Sequence, residues 1–264
     1  MKTGYVWRKC PAAVMALFCA ISCAGAFAQP EQQVPQGGTG QAAAPKPQEK
    51  PGEDWPNLGR YKDADAKLPP PAEGENRVVF MGDSITDFWI GNSPDFFAAN
   101  HYIDRGISGQ TAPQMLLRFR ADVIELKPKA VLILAGTNDI AQNTGFESME
   151  TITGYLASMA ELARANGIVP VLCSVLPAAD FWWRRGLEPA PKIAALNAMI
   201  KDYALKNKIV YADYYQPMAD GKLGLKAELA PDGVHPNKAG YAVMEPIAQK
   251  AIAEALLRKE GAGF

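Results

Sequence analysis

Ser84, His235 and Asp232 are the residue types that a nucleophilic acyl transfer requires. A serine hydroxyl becomes a nucleophile when a base takes its proton, and the base needs a third group that fixes its tautomer and stabilises the imidazolium. The chain has two histidines, His101 and His235. His235 lies in the turn-rich run Pro231-Asp232-Gly233-Val234-His235-Pro236, where the intervening glycine lets the Asp232 carboxylate reach the imidazole. His101 has no carboxylate at similar spacing, although Asp104 is near, and a structural role is expected for it. Ser84 follows directly on an apolar run, in Arg77-Val-Val-Phe-Met-Gly-Asp-Ser-Ile-Thr86. At that place Asp83, Ser84 and Thr86 would also suit the cap of a following helix, so the stretch alone leaves cap and nucleophile open. The Asp232–His235 pair favours the nucleophile.

Acyl transfer also needs donors aimed at the developing oxyanion. Two strand-end stretches offer them. In Gly106-Ile-Ser-Gly-Gln-Thr111, Gly109 lets a backbone N–H approach a substrate closely because it has no side chain. In Gly136-Thr-Asn-Asp139, the Asn138 amide offers a second hydrogen bond. Either stretch taken alone is equally a strand-to-helix turn, for which Gly, Asn and Asp are the usual residues.

Positioning these groups calls for a regular scaffold, and the hydrophobic pattern provides one. Strands are predicted over residues 78–81, 102–103, 130–134, 168–176 and 209–212, and helices over 112–126, 148–166, 191–206 and 237–258. Apolar strands alternating with helices imply a parallel sheet covered on both faces, and ligands of such sheets bind outside the carboxyl ends of the strands. Ser84 is expected at such an end.

Composition agrees with one globular domain: 264 residues, 48% hydrophobic, 21% charged, net charge -1. This balance gives no electrostatic footprint for nucleic acid and points to a small or neutral partner. Three regions are expected. Residues 1–28 read as a signal peptide, with Lys2, Arg8 and Lys9 before an apolar run and Ala26-Phe-Ala28 as the cleavage pattern, so the protein is expected to be exported, periplasmic or secreted, with no stable membrane insertion after cleavage. Cys23 after Ala20-Ile-Ser22 offers a lipoprotein alternative, weakened by Ala20 where a larger aliphatic residue is usual. Residues 29–75, rich in Pro, Gly and Gln, are expected to form a flexible arm in which Trp55, Leu58 and Tyr61 are candidates to pack on the domain. Residues 76–264 form the domain. Cys173 is then the single cysteine of the mature chain, in an apolar stretch that predicts a buried, inert thiol.

The four segments together resemble the GDSL, or SGNH, hydrolase family. Gly82-Asp-Ser-Ile-Thr86 is similar to its nucleophile block, Gly109 to its glycine block, Gly136-Thr-Asn-Asp139 to its asparagine block and Asp232-Gly-Val-His235 to its terminal block, in family order. Ile85-Thr86 stands where the family name has Leu. The resemblance is strongest to bacterial acylhydrolases of the platelet-activating-factor acetylhydrolase type. It implies a flavodoxin-like three-layer α/β/α sandwich with a five-stranded parallel sheet. It also implies Ser84 as nucleophile, His235 as base, Asp232 as its orienter, and an oxyanion hole made by Ser84, Gly109 and Asn138, with no metal or cofactor. Ser108, in the near-miss to G-x-S-x-G at 106–109, is a decoy.

The substrate is expected to be a small ester or an acetylated carbohydrate, carrying a short acyl group because no lid-sized insertion is evident. Asp83, Trp89, Asp139, Trp182 and Trp183 are the candidate substrate-binding residues, with Phe181, Arg184 and Arg185 beside them. The aromatics would stack on a sugar or line an acyl pocket, or equally serve as lid or dimer contacts. Two other functions stay open at this point: a carbohydrate-binding envelope protein without turnover, and metal-dependent phosphoryl transfer through Asp83 and Asp139. A lysophospholipase or thioesterase is the alternative within the same chemistry.

Overall fold

The computed structural model describes residues 53–261. The leader expected over 1–28, Cys23 and the first part of the arm lie outside the described residues. In chain order the elements are α1 (Lys62–Lys67), β1 (Val78–Gly82), α2 (Ser84–Asp87), α3 (Trp89–Asn92), α4 (Pro94–Asn100), β2 (Tyr102–Gly106), α5 (Ala112–Asp122), β3 (Ala130–Leu134), α6 (Thr137–Ile140), α7 (Met149–Ala165), β4 (Val169–Cys173), α8 (Pro189–Lys206), β5 (Val210–Ala212), α9 (Tyr215–Met218) and α10 (Lys238–Gly261), with a 3₁₀ turn at Ile124–Leu126.

The five strands form one parallel sheet in the order β2-β1-β3-β4-β5. Every residue of β1 and β3 is buried, as expected for strands covered on both faces. The pleat divides them. Val79, Met81, Val131 and Ile133 face a core completed by Met115 and Phe119 of α5, Leu156 and Met159 of α7 and Leu196 of α8. Val78, Phe80, Leu132 and Leu134 face the opposite core, completed by Phe96 and Phe97 of α4 and by Tyr241, Met244 and Ile252 of α10. This is the three-layer, flavodoxin-like arrangement that the family resemblance implies. The chain leaves β1 toward β2 on one side and reaches β3 on the other, so the strand order reverses at β1 and opens a crevice at its carboxyl end.

Three local differences have physical causes. β2 runs through Gly106 and not merely 102–103, because Asp104 and Arg105 are buried with partners: Asp104 accepts the Gly106 N–H at 2.7 Å, and Arg105 pairs with Asp65 of α1. The helix expected to reach 126 ends at Asp122 and tightens into the 3₁₀ turn. Residues 54–67 pack on the domain: Gln110 Nε2 donates to Pro56 O and Gln114 Nε2 to Trp55 O, both at 2.8 Å, while the Tyr61 hydroxyl donates to Gly106 O.

Trp89 requires a correction. It is 1% exposed and belongs to the core, stacked on Phe96 at 5.6 Å and on Tyr241 at 5.3 Å, with Phe80 edge-on at 5.4 Å. The one-turn helices α2 and α3 after β1 rotate this side chain inward, away from the crevice. Trp89→Ala is expected to destabilise the fold by about 3–5 kcal/mol, the cost of an aromatic-sized cavity, read as a shift in the midpoint of guanidinium unfolding.

Candidate active site

Ser84 is the first residue of α2, directly beyond β1, and is largely buried. Asp83 caps that helix by accepting the Ile85 N–H at 2.9 Å. The turn sits hard against the sheet: a Cβ on Gly82 would lie 2.0 Å from Thr86 Oγ1, and one on Gly106 would lie 2.0 Å from the Asp87 nitrogen. From the far side, the Tyr241 hydroxyl of α10 donates to Ile85 O at 2.8 Å.

The segment before α10 brings the other two groups to Ser84. Asp232 Oδ1 accepts the backbone N–H groups of Val234 at 2.9 Å and His235 at 2.8 Å, around Gly233 at φ 79°. That turn points the imidazole at the serine. Ser84 Oγ lies 2.9 Å from His235 Nε2, and His235 Nδ1 lies 2.7 Å from Asp232 Oδ2. Burial acts to raise the Asp232 pKa, but the hydrogen bonds from the His235 ring and from two backbone N–H groups outweigh it and hold the carboxyl below its usual range. An ionised Asp232 fixes the proton on Nδ1 and leaves Nε2 free to accept from Ser84. Phe88 and Trp183 stand against the imidazole, with ring centroids at 5.4 and 6.5 Å.

The expected oxyanion donors lie on neighbouring loops. Among the described residues the N–H groups of Ser84 and Gly109 make no hydrogen bond. Gly109 is exposed at φ 82°, with open space where a Cβ would stand. Asn138 is buried in α6, and its Nδ2 donates to Gln110 O at 3.0 Å and, more weakly, to Asp83 Oδ2 at 3.3 Å. A developing oxyanion is a stronger acceptor than that long contact and would compete for its proton.

Three more of the expected substrate contacts need revision. Asp83 and Asp139 are 1% and 2% exposed, so neither carboxylate reaches the crevice surface. Asp139 accepts the Ala112 N–H at the start of α5 at 2.9 Å. Phe181 is fully buried beneath Trp183, at 4.9 Å. Trp182 is 58% exposed and Trp183 half-buried, the first beside Asp232 and Gly233 and the second against His235. Arg184 donates to Gln142 O, and Arg185 pairs with Asp180 at 3.8 Å. Ser108 Oγ donates to Asp87 Oδ2 at 2.6 Å and has no histidine partner among the described residues. Burial pushes the Cys173 thiol up to about 12, consistent with an inert group.

Phe88 and Asn143 also belong to the site, and the sequence reading overlooks both. Phe88 sits four residues after Ser84, one helical turn on, which is its only signal. Asn143 lies within the turn-forming run Gln142-Asn-Thr-Gly145 and carries no motif.

Burial raises the pKa of Asp139 to about 7, and raises Asp83 to about 7 with the neighbouring Asp139 charge adding to it. An acid whose pKa is raised by folding stabilises fully below its unfolded value near 3.9, and that contribution is lost as pH rises through about 7. Wild type is therefore expected to lose stability between about pH 4 and 7, and Asp139→Asn to lose markedly less, measured by urea unfolding at each pH.

Residues 80–243 match the model of the GDSL-like lipase/acylhydrolase family, an interval that contains Ser84, Gly109, Asn138, Asp232 and His235. A GDSL-like lipase of Bacteroides thetaiotaomicron is 52% identical, with a TM-score of 0.75 over 77% of this chain and 100% of that one. A candidate acylhydrolase of Bacteroides fragilis is 51% identical, with a TM-score of 0.76 over 77% of this chain and 99% of that one. The Bacillus subtilis lipoprotein YqeF is 37% identical over 121 residues, 39% of this chain; the match spans half of YqeF's length.

Proposed function

The chain belongs to the GDSL-like lipase/acylhydrolase family, and from that premise we propose that it is an exported serine esterase removing short acyl groups, acetyl above all, from carbohydrate esters. The observation that carries the mechanism is the unbroken chain from Ser84 Oγ through His235 to Asp232, at 2.9 and 2.7 Å. Ser84 Oγ attacks the ester carbonyl while His235 Nε2 takes its proton. The N–H groups of Ser84 and Gly109 and the Asn138 amide receive the negative charge on the carbonyl oxygen. His235 returns the proton to the departing alcohol, leaving an acyl group on Ser84. Water, deprotonated by His235, then attacks that acyl carbonyl, and the proton passes back to Ser84 as the acid leaves.

The substrate class rests on the surroundings of the triad. Trp182, Asp180, Arg185 and Asp220 line a groove of about 260 Å³ that runs to Asp232 and Gly233. An exposed indole offers a stacking face for a sugar ring, and the flanking carboxylates and guanidinium offer hydroxyl partners. A short acyl group is favoured because residues 174–188, which carry Trp182 and Trp183, contain no helix to serve as a lid. Among the described residues no helix is long and apolar enough to cross a membrane. Export rests on the basic and apolar leader with its Ala26-Phe-Ala28 pattern, and on the naming of a relative as a lipoprotein.

Turnover of p-nitrophenyl acetate, butyrate and octanoate in EDTA is the direct test. Rates are expected to fall with chain length, and Ser84→Ala to lose roughly 10⁴-fold or more in kcat. Near-wild-type turnover by Ser84→Ala would overturn the serine mechanism, and binding of acetylated oligosaccharide without any turnover would leave a carbohydrate-binding protein. Trp182→Ala should raise KM for an acetylated cello-oligosaccharide by about tenfold, the loss of roughly 1.4 kcal/mol of stacking, while p-nitrophenyl acetate hydrolysis is unchanged.

A further inference from the structure

Asn143 is half-buried beside the site, and the mechanism so far gives it no task. Its backbone N–H donates to Asn138 O at 3.0 Å. Its side chain makes three further contacts: Nδ2 donates to Asn138 Oδ1 at 2.9 Å and to Gly109 O at 3.2 Å, and Oδ1 accepts the Trp183 Nε1–H at 3.1 Å. One residue thus joins the glycine loop, the Asn138 amide and the aromatic wall of the base.

The chemistry of the partners fixes which way each amide points. An indole N–H donates only, so Asn143 must turn its oxygen to Trp183 and its NH₂ to the other side. A backbone carbonyl accepts only, and Gly109 O receives that NH₂. Asn138 must then offer its oxygen to Asn143, while its NH₂ faces Asp83 and Gln110 O, a second acceptor-only group that demands the same orientation. Had Asn138 turned over, a carbonyl would stand where a donor is needed, and attraction for an oxyanion would become repulsion. Gly109 gains in a different way. At φ 82° with nothing near a would-be Cβ, it has no side chain to hold its peptide in place, and the bond to its carbonyl supplies that restraint.

We infer that Asn143, itself oriented by Trp183, is a positioning residue that, from the side opposite Gln110 O, sets the polarity of the oxyanion-binding face. The inference rests on the esterase reading, from which the roles of Gly109 and Asn138 come. Trp183 also stands 6.5 Å from the imidazole, so one ring braces the base and the amide relay together.

The test uses the full chain with p-nitrophenyl acetate and the variants Asn143→Asp, Asn143→Ala and Trp183→Phe, each also in an Asn138→Ala background. Loss of one oxyanion donor costs about 10²- to 10³-fold, so Asn143→Asp is expected to lower kcat toward that range, with KM held within about twofold. Asn143→Ala should cost less than Asn143→Asp, although aspartate keeps the volume of asparagine, because an acceptor-only side chain drives Asn138 to turn over. Trp183→Phe, which keeps a ring against His235 and loses the donor, should fall in the same direction. Once Asn138 is alanine, most of the cost of either Asn143 variant should disappear, leaving what the bond to Gly109 O contributes. A milder effect of aspartate than of alanine would reduce Asn143 to a space-filling role and overturn the inference, as would a full additional loss in the Asn138→Ala background. If wild type turns over no ester, the esterase reading fails separately, and the relay is decided by NMR of the side-chain amides. Shifted Asn138 amide protons in Asn143→Asp support it, and unchanged ones overturn it.

Discussion

Gly82 and Gly106 stand opposite each other in the register of β1 and β2, and neither has room for a Cβ. That absence lets the turn at 83–87 lie directly on the strand ends and determines where Ser84 begins. Arg118 holds the contact from beneath. Fully buried, its guanidinium donates to Gly82 O at 3.0 Å, to Gln110 Oε1 at 2.6 Å and to Asp122 at 2.8 Å. A planar fork of donors can span the end of a strand, a loop and its own helix at once, which a lysine cannot do. Buried ion pairs return little net stability after desolvation, so the value of this one lies in the geometry it specifies.

Carboxylates do two different jobs around this frame, and solvent decides which. Asp83 and Asp139 are sealed in, each pushed up to about 7 mainly by burial, and they accept the Ile85 N–H of α2 and the Ala112 N–H at the start of α5. Asp232 is open to water and takes its donors from the turn it belongs to, so its carboxyl falls below the usual range. Structural acids near the site thus hold the loops, while the acid beside the base keeps its charge. The same side-chain chemistry takes opposite roles because desolvation wins in one place and hydrogen bonding in the other.

The alternation of strands and helices was legible in the sequence because β1 and β3 at the sheet's centre are apolar runs and α5, α7 and α8 have an amphipathic period. The second half of β2 was not, since Asp104 and Arg105 look like surface residues until their partners are in place. The three-residue separation of Asp232 and His235 around a glycine maps directly onto a turn, and the end of an apolar run marks where Ser84 stands. Trp89, Asp83 and Asp139 were misplaced for one reason: proximity in sequence to a strand end says that a residue is near the crevice, not which way its side chain faces. One-turn helices such as α2, α3 and α6 set that direction, and runs of four residues have no periodicity to read. Asn143 was invisible because it stands in a turn-forming run with no motif of its own, and its contacts with Gly109 and Trp183 appear only once loops 34 and 40 residues away are brought together.

The loop from Gly106 to Gln110 shows why such partners are needed. A glycine-rich segment allows a backbone N–H to approach a substrate, but it gives up the side chains that would anchor it to a core. Its anchoring must be borrowed. From outside come Pro56 and Tyr61 of the N-terminal segment, joined to Gln110 Nε2 and Gly106 O, and from beneath comes Arg118. From the crevice side come Asn138 and Asn143, gripping the carbonyls of Gln110 and Gly109. The most open piece of the site is thereby fixed by elements scattered across the chain, and residues 54–67 do their work as part of the domain, not as a spacer before it.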